Sequence, residues 1–583
     1  MVDRRDFLKF SFAVAPAASG LAFAGCGGNG AGPVLGYAIA PEVYTTRLYT
    51  VVPGTKPAIT IHLVEVAKFK QYGYGNWTLG GALNSEIRTD LMPASFNASL
   101  VSNKEKLLSF FTITDIHITD KEAPNQLIYL EQLYETQVPA AASIYSPVML
   151  YSTHVLDATV QTINALHAKS PIDFGLSLGD VCNSSMYNEL RWYIDVLDGK
   201  LIQPSSGAHL GADSIDYQKP YQAMGLDKAI PWYQTLGNHD HFWMGSIPVD
   251  NSVLRPDLRA SYTSEAVFST SNKMLLAPTS IGDHESYMGV LDGSTPYGDI
   301  KYAGPNKNFT SPPLVAKDDA RRPLKRDEWL TEFFTTTSNP VGHGFKLTDA
   351  KNGFACYSFV PKSTLPLKVI VLDNTQREDD GSNEIHGHGF LDAQRWTWLK
   401  NELKMGDAAG QLMIVSAHIP IDVENPASPM AWWNDNLNAV DLAGLVAELH
   451  SHPNLLLWVS GHRHFNVVKA FAGSAPENGF WQVETSSLRD FPQQFRMFEI
   501  HLNSDYTISI VTTNVDPAVQ DGTPAAKSRS YAVATWQIVK NANNNPTADP
   551  SIHPLPNGSY NAELFKQLSP EMVLKMKALF PRA

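Results

Sequence analysis

Cysteine is scarce in this chain, with only Cys26, Cys182 and Cys356 among 583 residues. Three scattered cysteines are too few for a disulfide scaffold or a cysteine-rich zinc site, so a hydrophobic core has to hold the fold. A Cys182–Cys356 disulfide stays open for an oxidising compartment, because sequence does not give the distance between the two Cα atoms. Two buried thiols are the simpler interpretation, since free cysteine usually packs as a small apolar residue.

An excess of positive charge is also lacking. The chain has 45 Lys and Arg against 58 Asp and Glu, a formal net charge of -13. This balance argues against nonspecific binding to nucleic acid or to an anionic membrane, so we expect no nucleic-acid partner. With 43% hydrophobic residues, the chain is long enough for one large decorated domain or two ordinary ones.

The N-terminal apolar stretch is too short and interrupted to span a membrane. It follows Arg4-Arg5 and Phe7-Leu8-Lys9, and the whole segment resembles a twin-arginine export signal. We therefore predict that residues 1–25 are a signal peptide, that the twin-arginine machinery is a partner, and that the protein is exported from a bacterial cytoplasm.

Two processing sites remain open. Ala22-Phe23-Ala24 fits an ordinary signal peptidase, whereas Phe23-Ala24-Gly25-Cys26 resembles a lipobox with Phe in place of the usual Leu. The lipobox is favoured, which predicts a lipid anchor at Cys26 and a flexible glycine-rich tether after it. The expected location is the periplasm, either free or as a membrane-anchored lipoprotein.

Short apolar runs, each followed at once by polar residues, are typical of buried parallel strands that end at a site. Six such runs cover residues 107–114, 174–178, 232–236, 368–372, 412–415 and 455–459. Helical patterns fall between them at 156–163, 394–403 and 442–449. This alternation predicts the α/β class, with a site at the carboxyl ends of the strands.

The remaining segments are predicted from composition and short patterns. Strand-like pieces occur at 47–52 and 59–64, closing strands at 496–502 and 506–511, and a final helix at 569–579. Long polar stretches at 118–153, 198–230 and 241–355 are predicted insertions. The predicted domains are a tether with a β-rich segment (26–105), a main domain (106–516) and a C-terminal extension (517–583).

Residues suited to binding metal ions stand where the apolar runs end. A pair of ions needs a bridging carboxylate surrounded by neutral imidazoles and short oxygen donors. Two ions about 3.5–4 Å apart supply most of what phosphoester hydrolysis requires. The residues in chain order are Asp115, His117, Asp180, Asn238, His239, His418, His462 and His464.

The motifs that contain these residues resemble those of the calcineurin-like metallophosphoesterase superfamily. In order, they are Asp115-Ile116-His117, Gly179-Asp180, Gly237-Asn238-His239-Asp240, His418 and Gly461-His462-Arg463-His464. The resemblance covers about residues 106–516 and implies an α/β fold, a two-sheet β-sandwich core flanked by helices, with long insertions. It also implies hydrolysis of phosphomonoesters or phosphodiesters by a hydroxide that bridges two Zn, Fe or Mn ions and attacks phosphorus.

The resemblance further implies a role for each residue. Asp115, His117, Asp180 and His464 would bind the first metal ion. Asp180, Asn238, His418 and His462 would bind the second, so that Asp180 bridges the pair. His239 would face the substrate and stabilise or protonate the leaving oxygen, and Asp240 would orient His239. The glycines before Asp180, Asn238 and His462 would permit positive φ or close approach.

One position departs from part of this superfamily. Purple acid phosphatases place a tyrosine ligand three residues after the bridging aspartate, and here that position is Asn183. The chain should therefore lack the colour of a tyrosine-to-iron charge transfer. Cys182 and Asn183 are predicted to have packing or loop hydrogen-bonding roles.

Two other functions are weighed against hydrolysis. A scaffold protein that had lost its chemistry would be expected to lack ligands, and none of the motif residues is missing. A sugar-binding or structural envelope lipoprotein would use aromatics such as Trp396, Trp398 and Trp432-Trp433, which more often anchor cores or loops.

The substrate, a small molecule or a lipid headgroup with a phosphoester, is not identified by the motifs. The 241–355 insertion is predicted to line the substrate pocket, because it begins directly after Asp240. Its surface would carry aromatic residues such as Trp329. Its basic residues Arg321-Arg322 and Lys325-Arg326 either steer an anion or form a solvated face.

Overall fold

The computed structural model describes residues 35–55, 57–134, 144–249, 256–271, 273, 283–378, 387–422, 437–543 and 560–581. The predicted signal peptide 1–25, the predicted lipid anchor at Cys26 and its tether, and Trp432-Trp433 lie outside these residues. No helix within the described ranges combines the length and the apolar character needed to cross a bilayer.

The helices occupy the segments between the strands of two large sheets. In the described ranges the α-helices are α1 (Phe69–Tyr72), α2 (Ile128–Tyr134), α3 (Ser152–Lys169), α4 (Tyr187–Asp198), α5 (Pro256–Ser261), α6 (Arg326–Glu332), α7 (Leu347–Ala350), α8 (Ala393–Ala408), α9 (Leu442–His450), α10 (Pro524–Asn543) and α11 (Pro570–Leu579). The patterns predicted for α3, α8 and α9 are confirmed. The predicted final helix is α11, and Ser569 caps it by accepting a hydrogen bond from the Met572 N–H.

The strands, again in the described ranges, are β1 (Val51–Pro53), β2 (Trp77–Leu79), β3 (Ser85–Arg88), β4 (Asn103–Ile113), β5 (Phe174–Ser177), β6 (Leu201–Ile202), β7 (Tyr221–Gln222), β8 (Trp232–Gln234), β9 (Phe242–Trp243), β10 (Ile247–Pro248), β11 (Ser269–Thr270), β12 (Ser286–Leu291), β13 (Ile300–Pro305), β14 (Tyr357–Phe359), β15 (Leu367–Leu372), β16 (Leu412–Ala417), β17 (Leu455–Ser460), β18 (Val467–Phe471), β19 (Phe480–Glu484), β20 (Phe495–Asn503), β21 (Ile508–Val515) and β22 (Asn561–Lys566). All six predicted apolar runs are strands, namely β4, β5, β8, β15, β16 and β17.

Two sheets contain these six strands. The seven-stranded sheet has the order β3-β22-β21-β20-β4-β5-β8, in which β4, β5 and β8 are parallel. The six-stranded sheet has the order β14-β15-β16-β17-β19-β18, in which β15, β16, β17 and β19 are parallel. Strands β3 and β22 come from outside residues 106–516, and the predicted domain boundaries stay a prediction.

The sheets face each other across a shared core. Phe110 of β4 stacks between Phe174 and Phe498 of its own sheet, and Phe174 meets the edge of Phe359 from the other sheet. Along β15 alternate side chains enter this core, while Ile370 and Leu372 pack against α8 and α9 on the other face. The predicted α/β fold, with two sheets and flanking helices, is confirmed.

The N-terminal segment differs from its prediction. Residues 59–64 form no strand, and residues 47–52 contribute only the start of β1. Ile61 and Leu63 are buried against Ala534 and Ile538 of α10, a helix that the sequence analysis did not predict. The alternating apolar side chains are therefore buried by packing against a helix and not by pairing with another strand. Either arrangement removes the same apolar surface from water.

The insertion 241–355 forms a β9–β10 hairpin, the three-stranded β11-β12-β13 sheet and helices α5 to α7. Its basic residues do not form one surface cluster, which corrects the prediction. Arg321 is buried and pairs with Asp120, and Arg326 is buried and pairs with Asp373 and Glu378. Trp329, predicted as part of an aromatic surface, is fully buried.

Two further predictions concern cysteines and aromatics. Cys182 and Cys356 are both free and buried, as the simpler interpretation expected. Trp396 and Trp398 pack against the core between α8 and its sheet, so they anchor the helix.

Candidate metal centre

The candidate ligands lie where parallel strands of both sheets end. Asp115 and Asp180 follow β4 and β5 in the seven-stranded sheet, whereas His418 and His462 follow β16 and β17 in the other sheet. Because the carboxyl ends of these strands meet at one edge of the sandwich, residues more than 300 positions apart in the chain come together.

The first group consists of Asp115, His117 and His464. The Nε2 atoms of the two histidines are 3.1 Å apart, and Nε2 of His464 is 3.4 Å from Oδ1 of Asp115. Nε2 of His117 is 3.9 Å from the same oxygen. Three ligand atoms therefore converge on one buried point.

The second group consists of Asp180, His418 and His462, with Asn238 beside them. Nε2 of His418 lies 3.1 Å from Oδ2 of Asp180, 3.2 Å from Nδ1 of His462 and 3.1 Å from Oδ1 of Asn238. One carboxylate, one amide oxygen and two imidazoles thus surround a second point.

Asp180 lies between the two groups. Its Oδ2 atom is 3.1 Å from Nε2 of His418 and 3.8 Å from Nε2 of His117. Burial alone would raise the pKa of Asp180, but the neighbouring His418 and His239 hold it well below its ordinary value. An ionised carboxylate in this position contacts ligands of both groups, as a bridging residue must.

Strained backbone positions place several of these side chains. Asp115, Asp180 and His462 have φ values of 50°, 53° and 78°, in the left-handed region that residues with a Cβ rarely adopt. The glycines before Asn238 and His462 allow close approach, as predicted. A Cβ at Gly237 would lie 2.2 Å from a carboxylate oxygen of Asp180, and a Cβ at Gly461 would lie 2.0 Å from the hydroxyl of Thr114.

The hydrogen bonds of the histidines leave nitrogens free for a metal ion. His418 donates from Nδ1 to the carbonyl of Leu178 at 2.8 Å, and His464 donates from Nδ1 to Asp490 at 2.5 Å. Nε2 of each ring is therefore the nitrogen that would present its lone pair to a bound cation. His117 Nδ1 and His462 Nε2 are buried without a hydrogen-bond partner among the described residues. This donor set of imidazoles, carboxylates and one amide fits two transition-metal ions.

His239 borders both groups. Its backbone N–H donates to Oδ1 of Asp180 at 2.8 Å, and its ring Nδ1 donates to the carbonyl of Asn183 at 2.6 Å. The ring meets the His117 ring edge-on, with 4.4 Å between centroids. Gly245 lies so close that a Cβ there would be 2.3 Å from Nε2 of His239. Because Nδ1 is engaged, Nε2 is the nitrogen left for chemistry.

Asp240 does not have the predicted contact with His239. Its two carboxylate oxygens accept hydrogen bonds from the backbone N–H groups of Asp180, Val181, Cys182 and Gly237, at 2.8–3.1 Å. The prediction that Asp240 orients His239 is therefore wrong, because the carbonyl of Asn183 does so. Asp240 instead fixes the turn that carries Asp180.

Arg489 and Asp490, which lie in the loop after β19, were not among the predicted site residues. Asp490 accepts the hydrogen bond from His464, and Arg489 donates from Nη1 to Oδ1 of Asn183 at 2.9 Å. The signal was weak, because β19 contains Gln482 and Glu484 and so lacks the continuous apolar run of the six predicted strands. Asn183 has the hydrogen-bonding role predicted for it.

No protein-family model matches this chain, and no curated protein matches it. Among solved structures, a dimetal phosphatase from Danio rerio is 12% identical, with a TM-score of 0.32 over 71% of this chain and 100% of that chain. GAP50, described as the anchor in the inner membrane complex of Plasmodium, is also 12% identical, with a TM-score of 0.28 over 82% of this chain and 96% of that chain. Similarities this low do not bear on function, so the interpretation of the site rests on its own geometry.

Proposed function

We propose that the protein is a dinuclear metal-dependent hydrolase of phosphomonoesters or phosphodiesters. The observation that carries this proposal is the position of Asp180. Its Oδ2 atom lies 3.8 Å from Nε2 of His117 in the first group and 3.1 Å from Nε2 of His418 in the second. Two ligand sets joined by one buried carboxylate are suited to two ions held close together.

The proposed ligands follow from this arrangement. Asp115, His117, Asp180 and His464 would hold one ion, and Asp180, Asn238, His418 and His462 would hold the other. Bound ions would supply a nucleophilic hydroxide at neutral pH and shield the charge of the phosphoryl oxygens. Zn, Fe and Mn all suit imidazole and carboxylate ligands.

His239 is the proposed proton donor to the leaving oxygen. Its Nδ1 is fixed by the carbonyl of Asn183, so Nε2 is the ring atom that holds or releases the proton. Burial lowers the pKa of His239, so the protonated ring that this role needs is the minor form near neutral pH and becomes more populated as the pH falls. The edge-on contact with His117 places the ring at the boundary of the first group.

The proposal is tested with the purified protein loaded with Zn, Fe or Mn. Metal content is measured by mass spectrometry, and turnover is measured with 4-nitrophenyl phosphate and bis(4-nitrophenyl) phosphate. Asp180→Asn should abolish turnover of both esters and lower the metal content. Asp157→Asn is the matched control, because Asp157 is equally buried but lies in α3, away from both groups. A wild-type protein that holds no metal, or an active Asp180→Asn variant, would contradict the proposal.

We also propose export by the twin-arginine route and lipid attachment at Cys26, both on the residues of the N-terminus. Replacing Arg4-Arg5 with two lysines should retain the precursor in the cytoplasm. Cys26→Ser should block processing or release a soluble form. An unacylated mature protein that begins at Gly25 would show that the ordinary Ala22-Phe23-Ala24 site is used instead.

A further inference from the structure

Arg489 presents an unused pair of donors beside the candidate metal centre. Its side chain is buried, with 3% exposure. Nη1 donates to Oδ1 of Asn183 at 2.9 Å, but Nε and Nη2 have no hydrogen-bond partner among the described residues. These two N–H groups lie on the same edge of the planar guanidinium, so they form a fork suited to two oxygens of one anion.

Arg489 is connected to the candidate metal centre through two residues, Asn183 and Asp490. Asn183, which accepts from Arg489, also holds His239 through its carbonyl. Asp490, the next residue, holds the ligand His464.

Arg489 differs from the buried Arg326 and Arg395 in its ion pairing, although the charges of Asp490 and Glu189 act on it from nearby. Arg326 and Arg395 both form ion pairs with Asp373. Among the described residues, no carboxylate oxygen forms an ion pair with Arg489, and Asp490 is directed to His464 instead. Buried charge and buried donors without partners are unfavourable, so this edge of Arg489 is prepared for an anion that the chain itself does not provide.

We propose that the Nε and Nη2 edge of Arg489 binds two nonbridging oxygens of the substrate phosphoryl group and makes the site selective for phosphomonoesters. This inference rests on the proposed function and adds the substrate class. In a monoester the fork can hold two nonbridging oxygens and leave the third wholly to the metal ions, whereas in a diester the fork and the metal ions must share the same two oxygens. A phosphomonoester has three nonbridging oxygens, whereas a phosphodiester has only two.

The first test measures binding instead of turnover. The dissociation constant of inorganic phosphate is determined by calorimetry for the metal-loaded full chain. Arg489→Lys keeps the charge but removes the fork. We expect phosphate to bind this variant about tenfold or more weakly, with unchanged metal content. Arg529→Lys is the matched control, because Arg529 is also buried and has an unpartnered Nε, but lies in α10. Phosphate affinity of Arg489→Lys within twofold of wild type would overturn the proposal.

The second test compares esters. Arg489→Lys should lower kcat/KM for 4-nitrophenyl phosphate at least ten times more than for bis(4-nitrophenyl) phosphate. Equal losses for the two esters would overturn the monoester selectivity. If the wild type turned over neither ester, the proposed function would fail, yet phosphate affinity would still show whether Arg489 binds the anion.

A second variant tests the proposal in case Arg489→Lys does not fold. Asn183→Ser leaves Arg489 in place but removes the oxygen that fixes Nη1. It should weaken phosphate binding about threefold, since a mobile fork loses entropy on binding. Wild-type phosphate affinity in this variant would contradict the positioning of the fork by Asn183.

Discussion

His464 donates a hydrogen bond from Nδ1 to Oδ2 of Asp490, with 2.5 Å between the atoms. The bond fixes which nitrogen of this candidate ligand can bind a metal ion, because Nδ1 carries the donated proton and Nε2 lies 3.4 Å from Oδ1 of Asp115. A carboxylate in this position also makes the imidazole a better metal ligand.

Asp490→Asn should therefore weaken metal binding at the first group by about 10–100-fold. The second group, whose His418 is fixed by the carbonyl of Leu178, should keep its affinity. Competition with a metal chelator, followed by metal analysis, measures both sites. Equal losses at the two sites would show that Asp490 acts through the fold and not through His464.

His239→Ala should keep both metal ions and lower kcat by about a hundredfold, as expected for the loss of one proton donor. His239 is close enough to His117 and Asp180 for these three residues to be an alternative ligand group. Metal content decides between the roles. Loss of one equivalent of metal from His239→Ala would make His239 a ligand.

Asp240→Asn should lower the free energy of unfolding by about 1–3 kcal/mol, because an amide nitrogen would face backbone N–H donors. Since those donors belong to the turn that carries Asp180, metal retention should fall as well. Urea denaturation and metal analysis are the two measurements. If Asp240→Asn lowered kcat but kept wild-type stability and metal content, that result would support a role for Asp240 in orienting His239.

Arg326→Ala should lower the free energy of unfolding by about 1–3 kcal/mol, because it removes one partner of Glu378 and one of the two arginine partners of the buried Asp373, which keeps Arg395. Arg326 comes from the insertion, while its partners Asp373 and Glu378 follow β15. Lys317→Ala is the control, because the Lys317–Asp319 pair is exposed and should contribute below about 1 kcal/mol. Similar urea midpoints for the two variants would contradict this prediction.

Lys566→Met should raise the Tm most at or below pH 7. Burial lowers the pKa of Lys566 to about 7 from an ordinary value of 10.5, so the folded state opposes the charged form. Below pH 7 the amine is charged in both states and its burial is fully unfavourable. As the pH rises from 7 towards 10.5 the folded protein holds it neutral and the disadvantage shrinks. Calorimetry at pH 6.5 and 9.5 should show a larger Tm gain at pH 6.5, and a gain independent of pH would contradict the assignment.

The sequence predicts the elements that depend on local order. The run before Asp115 and the run before His418 are strands, because a buried parallel strand needs a continuous apolar stretch and its ligand follows at the end. The last helix begins after Ser569, because a hydroxyl there caps a free N–H.

The sequence predicts less well wherever one pattern has two solutions. Ile61 and Leu63 alternate as in a strand, but α10, more than 450 positions away, buries them. In sequence, Arg321 and Arg326 resemble part of a charged surface. Both are instead buried and form ion pairs with carboxylates distant in the chain. The charge and hydropathy of a side chain show whether it requires an ion-pair partner or an apolar environment. They do not show which residue of the chain provides it.

The sequence by itself determined which residues are equipped to hold metal ions, because Asp, His and Asn at strand ends have the required donor atoms. Only the tertiary structure decided how those residues are supported. Asp240 fixes a turn, Asn183 orients His239, and Arg489 is buried with two donor atoms that have no partner in the part of the chain that the structure describes. These contacts join loops of two sheets, and their geometry follows from how the sheets pack, which no local pattern encodes.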